Sequence, residues 1–147
     1  MKRNIFLIAV VVLMGISLNT LAGPATNTLG ICLTDSLTGK ERKTLAKWIF
    51  FAIAAHPEIS SFSKVTEESQ DQTNQFVGNL ITRLMADDCP NQAKAALKED
   101  GSVAFEQAFG MVGQVAMQEL MADQNVTRSI SGFEKYVDQA KISALGE

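Results

Sequence analysis

The chain has 147 residues, a formal net charge of −3, 46% hydrophobic residues and a single His. That length suits one domain. The acidic balance argues against nucleic acid as a partner, because phosphate binding needs a concentrated positive patch, and one His excludes a multi-histidine zinc site.

The N-terminus reads as a signal peptide over residues 1–22. Lys2 and Arg3 form a short positive region, and Ile5 to Leu18 form an apolar run interrupted only by Gly15 and Ser17. Thr20-Leu21-Ala22 then places small residues at the −3 and −1 positions of a cleavage site. The run is shorter than a comfortable bilayer span, so a retained anchor is the less favoured reading. Leu29-Gly30-Ile31-Cys32 is a poor lipidation box: Ile31 is too bulky before the cut, and Cys32 lies well beyond the apolar run. Removing residues 1–22 takes away two basic groups and no acidic ones, leaving 11 against 16 and a net charge of −5. The expected location is the periplasm or the outside of the cell.

In an exported chain the two cysteines point to a disulfide. Cys32 and Cys89 are too far apart in sequence for a CxxC redox site or a zinc knuckle. In the chain-entropy model, closing that loop contributes about 4 kcal/mol. The alternative is two buried free thiols.

Residues 23–29 read as a loose lead-in, and Leu29 to Leu37 as a turn or two of helix. The stretch Thr38 to Pro57, TGKERKTLAKWIFFAIAAHP, is the centre of the chain. Thr38 and Glu41 form a capping box at its start, and Pro57 disfavours helical geometry at His56. Lys40, Lys43, Thr44 and Lys47 share one arc of this helix, opposite Leu45 and Ile49. From Trp48 to Ala55 the helix is apolar in every direction. Such a segment belongs in a core or a membrane, and eight residues fall far short of the roughly 20 needed to span a bilayer. The expectation is therefore a helix driven into the core by its C-terminal half, with Trp48 largely buried.

After a loop in which Ile59, Phe62 and Val65 are expected to tuck against the core, Thr66 caps an amphipathic helix reaching about Asp87. Phe76, Val77, Leu80, Ile81, Leu84 and Met85 form its apolar side. Pro90 suits the first turn of a helix broken by Asp100-Gly101. Ser102 to about Asp123 is the second strongly apolar helix, with Phe109 expected in the core. Gly110 and Gly113 cost it helix propensity, which predicts close approach of another helix there. Asn125 reads as the next N-cap, before two short terminal helices. No stretch shows sustained period-2 alternation. The fold class expected is all-α, a single irregular bundle of about five to six helices over residues 23–147.

The chain has no phosphate loop, GxSxG elbow, HExxH or Gly-rich dinucleotide turn, and no cofactor is expected. Three polar residues fall where the pattern wants apolar ones: Arg42, His56 and Glu119. An unpaired buried charge is very costly, so such residues pair or reach the surface. The expected pairing joins Glu119 to a cation from the Thr38 helix, Arg42 first and His56 second.

The runs CLTDSLTGKERKTLAKWIFFAIAAHPEI and FGMVGQVAMQELM resemble a family of small exported bacterial helical proteins with two cysteines. The resemblance implies an exported helical domain and carries no activity, ligand or catalytic residue. The leading expectation is an exported binding or accessory protein engaging an envelope protein or a small apolar ligand. Its rivals are a small enzyme using Glu119 with His56 or Arg42, and a protein associated with a membrane surface, which an exposed apolar patch around Phe50 and Phe51 would favour.

Overall fold

The computed structural model describes residues 22–146. The signal-peptide segment, but for Ala22 at its end, lies outside the described residues. Among the described residues the chain forms eight α-helices and no strand. They are α1 (Pro24–Asp35), α2 (Gly39–Ala54), α3 (Pro57–Ser60), α4 (Glu67–Arg83), α5 (Pro90–Asp100), α6 (Val103–Met121), α7 (Gln124–Ser131) and α8 (Gln139–Ser143). The count exceeds the expected five to six because α3 and α8 are single turns. A π-helical turn, Leu84–Asp88, extends α4, and 3₁₀ turns flank α8 at Glu134–Tyr136 and Ala144–Gly146.

Local chemistry explains most boundaries. At α2 the Glu41 N–H donates to Thr38 Oγ1 at 3.3 Å, while the Thr38 N–H donates to the Glu41 carboxylate at 2.8 Å. The helix ends at Ala54, two residues before His56-Pro57. Thr66 and Ser69 exchange the equivalent bonds at the start of α4, at 3.2 and 3.0 Å. Pro90 opens α5, where a missing N–H costs nothing. Gly101, at φ 73°, ends it in a conformation that favours glycine. Asp123 rather than Asn125 caps α7, accepting from the Asn125 N–H at 2.7 Å.

The largest correction to the sequence reading at the N-terminus is α1, a three-turn helix from Pro24 rather than a lead-in. Its first turn is held from outside. Asp100, the last residue of α5, accepts from both the N–H and the hydroxyl of the fully buried Thr26, the former at 3.0 Å.

The core lies where α1 packs on α6 and α5, with α2 laid across α6 and α4. On α6, Ala104, Ala108, Val112 and Ala116 recur every fourth residue and are all buried. This spacing makes a low ridge on one helix face. Leu29 and Leu33 of α1 are completely enclosed in the same cluster. Gly30 sits against Met111 of α6, so that a side chain there would meet the thioether. Cys32 on α1 and Cys89 before α5 form the expected disulfide, with 6.1 Å between their Cα atoms.

Four expectations about packing are overturned. The close helix approach falls at Gly30, while space beside Gly110 and Gly113 is open. Trp48 and Phe109 are half-buried at the edge of the core. Ile59 and Phe62 point outward, and of the three apolar residues only Val65 is half-buried. Most of the apolar second half of α2 is not enclosed either: Ala54 is buried, but Phe50 and Ile53 are each 49% exposed. For Trp48, Phe109 and the second half of α2 the reason is shared: helix periodicity reports which side of a helix is apolar, and the partner helices run out before those sides are covered.

Candidate functional site

α2 presents three sides, and the charged residues of its first half divide between them. Towards α6, Arg42 Nε donates to Glu119 at 3.2 Å, and Arg42 Nη1 donates to the Leu37 carbonyl at 2.9 Å. Lys43 approaches the other Glu119 oxygen at 3.8 Å. Towards α4, Arg83 donates to Glu41 at 2.9 Å and also binds Asp88, and the Trp48 indole N–H donates to Asn74 at 2.8 Å.

The structure thus brings Arg42 and Glu119 together and leaves His56 apart. His56 is exposed beyond the end of α2, where its Nδ1 accepts the Glu58 N–H at 3.2 Å and caps α3. Side-chain exposures of 31% and 27% for Arg42 and Glu119 make theirs a rim pair and not a buried one. The pair ties α2 to α6.

The Glu41–Arg83–Asp88 chain was not foreseen. Glu41 is legible in the sequence as a capping residue, but nothing there places it beside Arg83. Partial burial by itself would raise the Glu41 carboxyl. Hydrogen bonds from the Thr38 N–H and hydroxyl, together with the Arg83 guanidinium, outweigh it and hold the group below its usual value.

Among the described residues no helix packs on the third side of α2. Lys40, Lys47, Phe50 and Phe51, with Lys43 at the border towards α6, fall within an arc of about 100° at 100° per residue. All but Phe51 are exposed. The Lys47 ammonium stands 5.9 Å from the centre of the Phe51 ring, which lies 6.2 Å from that of Phe50. This side is therefore cationic along its first turns and aromatic along its last. A shallow groove of about 430 Å³ borders it towards α6 and α7, between Phe50, Leu120 and Val126. On the other border Phe51 and Ala54 line a shallow groove of about 440 Å³ with Ser60, Ser63 and Val65, so the loop carrying Phe62 lies near the aromatic end. Phe62 itself is 88% exposed.

A separate apolar slot of about 130 Å³ opens between α4 and α6 over α2, lined by Trp48, Ile49, Val77, Ile81, Phe109 and Gly113 among others. Among the described residues no group of His, Cys, Asp and Glu side chains is placed to hold a metal, and no helix is long and apolar enough to cross a membrane. No protein-family model, curated protein or solved structure matches the chain.

Proposed function

We propose that the protein is an exported binding or accessory protein that engages an envelope component through the free side of α2 and the loop after it. The observation that carries this reading is the exposure of large apolar side chains on the free side of α2 and in the loop after it: Phe50 at 49% and Phe62 at 88%. Fully burying one such side chain contributes about 1.5–3 kcal/mol, and clustered exposed apolar groups commonly mark interaction sites.

The test is affinity capture of the tagged protein from its native compartment, compared with a Phe50→Ser/Phe62→Ser double variant of unchanged circular dichroism. The expected result is a specific component captured by the parent and lost by the variant. Equal capture by both would move the site elsewhere. The polar cluster supplies a control, because Arg42→Met leaves this face intact and should retain capture.

A second reading, a small apolar ligand, is favoured by the slot beside Trp48. Its volume suits one aromatic ring or a short alkyl chain, and a cavity lined by apolar side chains readily takes such a guest. Titration with benzene or indole, followed by Trp48 fluorescence, should show saturation that Gly113→Leu abolishes. An unchanged titration in that variant would exclude the slot.

A further inference from the structure

We propose that the free side of α2 docks on an anionic lipid surface, with Lys40, Lys47 and Lys64 among the headgroups and Phe50 and Phe62 in the apolar layer beneath. This names the envelope component of the reading above and rests on it.

Charge is segregated along the chain. Residues 38–64 carry five basic and two acidic groups, whereas the rest of the chain from residue 23 onward carries six basic and 14 acidic ones. Part of the positive segment is left unpaired. Glu119 is shared by Arg42 and Lys43 and Glu41 is held by Arg83, while Asp123, which caps α7, stands at the groove border near Lys47. Among the described residues, Lys40, Lys47 and Lys64 form no ion pair. Glu67 and Asp71 at the start of α4 lie on the far border of the face, beyond Phe51, so a negative surface would meet the lysine row and not α4.

The form of the face selects lipid over a folded partner. Its cations are long, flexible side chains in a single row, and of its apolar groups Phe62 is almost fully exposed, while Phe50 borders only a shallow groove. Phe62 stands alone at a loop apex next to Lys64. A fluid bilayer requires no shape complementarity: anionic headgroups attract a row of lysines, aliphatic stems lie along the interface, and aromatic tips enter the acyl boundary.

The experiment is flotation of the naturally processed protein with vesicles of phosphatidylglycerol and phosphatidylcholine, against vesicles of phosphatidylcholine alone. Binding should be at least about tenfold stronger to the anionic vesicles and should fall steeply with salt. Each lysine is expected to contribute about fivefold, so Lys40→Ala/Lys47→Ala should bind about 25-fold more weakly. Lys98→Ala on α5 should bind as the parent does. Phe62→Ser should weaken binding without changing the thermal midpoint. Equal binding to neutral vesicles, or no effect of the lysine pair, would overturn the proposal. Should no vesicle bind while capture of a protein still depends on Phe50 and Phe62, the lipid fails and the binding reading stands. A concentration-dependent dimer broken by Phe62→Ser would assign the face to a second copy. No dependence on this face in any assay would sink both readings.

Discussion

The two halves of α2 have opposite fates to those their composition suggests. The first half holds all five charged residues of the helix, yet it supplies Leu45 and Ala46 to the core and ties Glu41 and Arg42 to two other helices. The second half has no charged residue, yet Phe50, Ala52 and Ile53 remain exposed. The difference teaches that burial depends on a facing partner as well as on an apolar side chain. α1, α5 and α6 close tightly near the disulfide, where three alanines and a valine on α6 let helices meet at short range. At the other end the opposing surface is sparse, and small chains bury a smaller fraction of their surface.

The sharpest tests set the closed end against the open one. Cys89→Ser removes the tie between α1 and α5 and should cost about 4 kcal/mol in the chain-entropy account, read from denaturant midpoints. Alkylation of native protein without reductant should find no free thiol. Leu33→Ala, in a completely enclosed position, should cost about 3–4 kcal/mol. The same truncation at Phe62 should fall within about 0.5 kcal/mol of zero. Similar losses at Leu33 and Phe62 would erase the contrast.

Smaller effects probe the joints of α2. A double-mutant cycle on Arg42→Met and Glu119→Gln should give a coupling of about 1 kcal/mol, because a pair with side chains about a third exposed is well screened. Additive losses would mean the pair contributes nothing to the α2–α6 contact. Gly110→Ala should stabilise by up to about 1 kcal/mol, since the added methyl enters open space and the helix gains propensity. A loss there would reveal packing at α6 that the structure does not show.

The smallest effect appears in acid. The folded state holds the Glu41 carboxyl below its usual value, so the unfolded chain takes up the proton first as pH falls. The stabilisation is complete above the unfolded value of about 4.3 and is lost as pH drops through the lower folded value. Glu41→Gln should flatten the slope of stability against pH in that window. An unaltered slope would remove Glu41 from the account of how α2 is anchored to α4.

Sequence alone determined the local events, because their causes lie within a few residues. The Thr38–Glu41 box, the Thr66 cap, Pro90 at the start of α5 and the break at Gly101 each rest on hydrogen bonds or backbone limits that neighbours impose. The all-α class and the amphipathic side of α4 followed from periodicity, and the Cys32–Cys89 pairing from there being only two cysteines. The Arg42–Glu119 pair was legible as two charges misplaced on apolar sides, whereas His56 looked equivalent on the same helix and has a different fate. Tertiary structure decided everything that needed a partner from afar. Asp100 turns an unremarkable lead-in into α1, Met111 makes Gly30 and not Gly110 the tight position, and Arg83 finds Glu41 across 42 positions of chain. It also decided that Phe50, Ile53 and Phe62 face outward. A side chain's hydrophobicity is a local property, but the surface available to cover it depends on the packing of the whole chain.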